Sequence, residues 1–160
     1  MKRTIRKGLF ETNSSSVHSL CVKVGSKIDT NIDHIYFDVG EFGWECEIWE
    51  STNIKASYIN TLIRDCNLEE KFYPRIKEVL AKHNITCEFN TEKTDFYVDH
   101  SFEHIELLYD IFETDEKFLT FLLGEGAVIT DNDNGGFSEI DCDPISDFKG
   151  KGYEVYTSNN

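Results

Sequence analysis

Positive charge is scarce in this chain: 16 Lys and Arg stand against 30 Asp and Glu, a net charge of −14 at pH 7. Phosphates are repelled by such a surface, which argues against a broad basic face for nucleic acid. The five cysteines, Cys21, Cys46, Cys66, Cys87 and Cys142, are odd in number and include no C-x-x-C pair. That pattern suits reduced thiols in a cytoplasm and argues against a disulfide framework or structural zinc. No apolar run approaches the length of a membrane span, and the basic start is followed by polar Asn-Ser-Ser-Ser rather than an apolar signal core. No internal repeat and no G-x-S-x-G elbow is present. A cytoplasmic protein is expected.

The 160 residues suit one domain spanning 1–160. Alternation at Leu20, Val22 and Val24 predicts a strand over 17–24, with His18 on its apolar face. Ile35, Phe37 and Val39, then Trp44, Cys46 and Ile48 across the Gly40 to Gly43 turn, predict a hairpin with one buried side. Trp49, on the opposite face from Trp44, is then a candidate for a contact surface or a second packed layer. Helical spacing follows at Ile54, Tyr58, Ile59, Leu62, Ile63 and Cys66, entered through Ser51, Thr52 or Asn53. A second stripe runs from Leu68 to His83, with Asn67 and Glu70 in capping-box spacing and a break expected near Tyr73 because Pro74 lacks an amide donor. Ile85, Cys87 and Phe89 with Phe96 and Val98 suggest another hairpin. Two short helices follow, one after Ser101 and one capped by Thr114 and ending near Gly124, and a last strand pair uses 127–129 and 153–156. Strands grouped as hairpins and about four helices point to α+β with a mainly antiparallel sheet.

Chemistry is concentrated in Asn13, Ser14, Ser15, Ser16 and His18. Consecutive Asn and Ser residues bend the backbone and aim N–H groups and hydroxyls at one anion, so a phosphate fits, with Arg6 (or Arg3 or Lys7) as the cation. Ser16 and His18 share a strand face, which makes them the candidate nucleophile and base; the acid of a triad is missing unless Asp131 or Asp133 approaches. The segment 130–136 alternates Asp and Asn before two glycines, but the position that would supply the bidentate Glu of an EF-hand is Cys142. Two readings of this segment stand, a plain solvated turn or a site for a divalent cation, Mg or Ca, on Asp131 and Asp133 with Asp141 or Asp143 in support. His100 and His104 have zinc spacing only if one helix carries both, and a helix start at Ser101 would separate them. His18 is expected at a pocket mouth between the serine loop and the 131–134 loop.

The stretch R-K-G-L-F-E-T-N-S-S-S-V-H-S, residues 6–19, resembles the opening of a group of small uncharacterised bacteriophage and bacterial proteins that begin R-x-G-x-F-E-T-N-S-S-S-x-H-S. The later I-T-D-N-D-N, residues 129–134, is similar to a second signature of that group. The resemblance implies a phage or prophage origin, hence a host cytoplasm, and carries no chemistry of its own. Two functions then compete. One is recognition of a phosphate-bearing small molecule such as a nucleotide. The other is non-enzymatic inhibition of a host nuclease or antiviral system through a basic host protein, because residues 101–160 carry fourteen Asp or Glu against three Lys.

Overall fold

The alternation around Leu20 and Val22 produces β1 (Ser16–Lys23), an interior strand buried on both faces because helices cover one side of it and Phe148 packs on the other. Its neighbours are β5 (Gly126–Asn132) and β6 (Tyr153–Ser158), both antiparallel to it. The short β3 (Glu47–Trp49) pairs antiparallel with β5, giving the order β3-β5-β1-β6. A separate two-stranded sheet pairs β2 (His34–Phe37) with β4 (Thr86–Phe89) in parallel. Four helices accompany them, α1 (Thr52–Asp65), α2 (Glu69–Ala81), α3 (Ile105–Ile111) and α4 (Asp115–Leu123), with a one-turn 3-10 helix at Ser101–His104. The computed structural model describes residues 16–44, 46–132 and 145–158, and these counts refer to them. The architecture is α+β with a mainly antiparallel sheet.

One face of the larger sheet sends Leu20, Val22 and Val128 into the main core with Tyr58, Leu62, Phe72, Ile76, Leu108 and Phe121 from the helices. Each such side chain contributes about 1.5–3 kcal/mol when fully buried. The other face carries Cys21, Ala127 and Ile129 beneath Phe148. Lys55 of α1 is buried at the seam, where its ammonium donates to the carbonyls of Phe121 (2.6 Å), Gly124 (3.2 Å) and Gly126 (3.4 Å). It thereby satisfies the C-terminal end of α4, where unpaired carbonyls and the helix dipole favour a cation.

Local signals set the helix ends. Ser51 Oγ accepts from the Ile54 amide and Thr114 Oγ1 from the Lys117 amide, so both expected caps are present. Asn67 acts differently from the capping box expected of it. Its φ is 54, and the bonds Asn67 N–H to Arg64 O and Leu68 N–H to Ile63 O close a Schellman motif that ends α1. Asn84, at φ 60, ends α2 in the same way through the Leu80 and Ala81 carbonyls. Pro74 sits within α2 with no break at Tyr73. The carbonyl that loses its donor belongs to Glu70, which is exposed and solvated, and the packed Phe72, Ile76, Val79 and Leu80 hold the helix together.

The expected hairpins are corrected. β2 pairs with β4 and β3 with β5, so the 38–46 connection joins two sheets. The parallel β2–β4 pair needs a crossover, and α1 and α2 supply it. Asn60 locks that arrangement by donating to the carbonyls of Phe37, Asp38 and Asn90 while accepting from the Tyr73 hydroxyl. With β3 moved to the other sheet, its facing inverts: Trp44 and Ile48 are exposed and Trp49 packs against Phe42. Val98 bridges to Phe42 rather than to β4. β5 and β6 do not pair with each other, because β1 lies between them, and Val24 is exposed because β1 ends at Lys23.

Candidate functional site

Side chains directly opposite in a sheet share a face, so the row Thr130, His18, Ser158 across β5, β1 and β6 points toward the helices together with Ser16. All four are polar, and Ser16, His18 and Thr130 are almost wholly buried. The residue that completes this layer is His104, at the end of the 3-10 helix. Its ring stacks on that of His18, with centroids 3.8 Å apart and planes at 10°.

The hydrogen bonds have a definite polarity. Ser16 Oγ lies 3.2 Å from the Asp99 carbonyl and 3.0 Å from His104 Nε2. A hydroxyl has one proton and a carbonyl only accepts, so Ser16 donates to Asp99 and His104 Nε2–H donates to Ser16. His104 Nδ1 is then an acceptor, and the Ser158 hydroxyl beside it is the donor. This is the reverse of a nucleophile–base pair, in which the serine proton points at the imidazole. The imidazole beside Ser16 is moreover His104, whereas His18 bonds through Nδ1 to the Tyr58 hydroxyl at 2.9 Å.

Burial sets the protonation states. Desolvation lowers His18 from 6.5 to about 2, with the positions of His104 and His100 adding to the effect. Desolvation also lowers His104 to about 4, against the opposing pull of Glu103. Burial raises the Tyr58 hydroxyl, so the phenol stays protonated, and it shares one hydrogen bond with His18 Nδ1. With the phenol as donor of that bond, the remaining His18 proton is on Nε2, a buried atom with no hydrogen-bond partner among the described residues. Nε2 faces Gly43, where a Cβ would lie 2.8 Å from it and 2.9 Å from Asp99 Cβ; at φ +104 that position also disfavours any side chain. Phe42 pins the neighbouring segment, its amide bonding the Tyr97 carbonyl and its carbonyl receiving the Asp99 amide.

The other expected site residues divide in two. Asp131 lies opposite Val17, on the face of the sheet away from Ser16 and His18. The adjacent strand ends therefore do not put it in their site, and it cannot orient the His18 imidazole. His18 itself is buried rather than at a pocket mouth. Arg6, Asn13, Ser14, Ser15 and Asp133, with Arg3, Lys7, Asp141 and Asp143, lie outside the described residues. The 3-10 helix begins after His100, which has φ 55 and bonds Glu103, so His100 and His104 do not share a helical face. Among the described residues no group of three or more His, Cys, Asp or Glu is arranged to hold a metal ion.

Tyr58, Gly43, Asp99, His104 and Ser158 were not legible as parts of this site. His104 had a signal, since it falls three and four residues before Leu107 and Leu108 and thus on the buried stripe of the following helix. No family model matches the chain, and neither a curated protein nor a solved structure shows significant similarity to it. No helix among the described residues is long and apolar enough to cross a membrane.

Proposed function

We propose that this is a phage-type domain that recognises a phosphate-bearing small molecule, a nucleotide or other phosphoester, where the Asn13–Ser16 run enters β1. The observation that carries the reading is the buried, unpaired Nε2 of His18, on the same sheet face as the fixed Ser16 hydroxyl. With the Tyr58 phenol donating to Nδ1, Nε2 is a buried donor without a partner, which costs about 1–3 kcal/mol and is relieved by an acceptor such as a phosphoryl oxygen. The imidazoles take part as neutral hydrogen-bonding groups, so the charge of the anion is balanced by Arg6 or by a divalent cation carried with it. Access to Nε2 requires the segment around Gly43 to shift, and Trp44 next to it reports that movement.

The test is thermal unfolding and tryptophan fluorescence with inorganic phosphate and a panel of nucleotides and cyclic nucleotides, with and without magnesium. A rise in melting temperature with a change in emission, both abolished in His18→Asn and Arg6→Ala proteins that remain folded, is the expected result. No stabilisation across the panel would refute the reading and favour an acidic protein that acts on a basic host partner.

A further inference from the structure

The groove beside the C-terminal end of α1 is separate from the Ser16 site and has a different chemistry. Its volume is about 480 Å³, in the range of side-chain and small-ligand pockets, and Asp65, Tyr97, Val98, His100, Ser101, Phe102 and Glu103 line it. Phe102 is 68% exposed, and Trp44 (47%) meets Tyr97 edge to face at 6.0 Å, which extends the aromatic rim. Phe96, 50% exposed, continues the surface into an adjoining hollow that shares Asp65. Single exposed aromatics are ordinary, but three on one short stretch and its neighbour mark a contact surface.

Asp65 gives this surface a sign. Its Oδ2 accepts the Val98 amide at 2.7 Å and the carboxylate is half-buried. Arg64, the adjacent cation, lines the adjoining hollow but not the groove itself, and its guanidinium is engaged by the Asn90 and Glu92 carbonyls. Glu103 adds a second carboxylate, which holds His100 at 2.7 Å. Planar aromatic faces beside a carboxylate suit a guanidinium, which stacks on the ring and forks onto the acid, better than an ammonium, which does neither as well. The chain's charge of −14 steers basic surfaces toward it and repels nucleic acid and anionic lipid.

We propose that this groove docks an arginine side chain presented by a basic partner protein. The inference does not depend on the phosphate reading, because none of its residues belongs to the Ser16–His18–His104 layer.

The probe is the peptide acetyl-Gly-Arg-Gly-amide, titrated into the ¹⁵N-labelled full chain at low salt, against the citrulline peptide (same shape, no charge) and the lysine peptide. Expected are saturable amide shifts confined to Asp65 and residues 97–103, absent with citrulline and at least about threefold weaker with lysine. Asp65→Asn, which keeps an acceptor for the Val98 amide, and Phe102→Ala, a change at an exposed site, should each weaken binding at least about tenfold while leaving the rest of the spectrum unchanged. Equal binding of the citrulline or lysine peptide, shifts spread over the acidic surface, or no shifts at all would overturn the proposal.

Discussion

The rings of His18 and His104 are stacked 3.8 Å apart at the centre of the polar layer, though they come from β1 and from the 3-10 helix before α3. At that separation the two rings cannot both become cationic without strong repulsion, and burial already disfavours the first charge. The layer is therefore built for neutral imidazoles.

Acid should unfold the protein through this pair. Unfolded histidines titrate near 6.5, whereas in the fold His104 is lowered to about 4 and His18 to about 2. Between these values the unfolded chain binds more protons, so stability is fully present above pH 6.5 and falls as pH drops through 6 to 4. Urea unfolding at pH 7, 6, 5 and 4 should show this loss, and His104→Gln should reduce its slope while lowering stability at pH 7. An unchanged slope would mean that carboxylates alone carry the acid sensitivity.

Gly43→Ala should destabilise by at least about 1–3 kcal/mol, since it combines an unfavourable backbone conformation with a Cβ placed against His18 Nε2 and Asp99 Cβ. Removing the ring should relieve part of the clash. A double-mutant cycle with His18→Ala, measured by denaturant unfolding, should therefore give a coupling of about 0.5 kcal/mol or more, and strict additivity would contradict the contact.

Lys55→Met should cost about 1.5–3 kcal/mol, because it removes the donor from the carbonyls of Phe121, Gly124 and Gly126 while the hydrocarbon stem is kept. The loss should appear first as faster amide exchange at the C-terminal end of α4. A melting temperature equal to that of the unmodified protein would show that water replaces the ammonium without penalty.

Much of the fold is local, and that part is readable in the residues themselves. Period and capping chemistry mark α1 through Ser51, α4 through Thr114, and the core face of β1, because each rests on contacts within a few residues. They also place Ser16 and His18 on one face of one strand. Pairing is not local. Alternation says which side chains turn inward but not which strand supplies the hydrogen bonds, so β2 takes the distant β4, β3 crosses to β5, and β1 separates β5 from β6. The same parity that suits Ser16 to the helix side sends Asp131 to the other face, although their strand ends adjoin. His104, Tyr58 and Ser158 reach Ser16 and His18 only through packing of α1, the 3-10 helix and β6 around that row. The sequence determines the composition of this site's first strand; the tertiary contacts decide its partners, their protonation and the direction of each hydrogen bond, because burial and long-range pairing exist only in the folded chain.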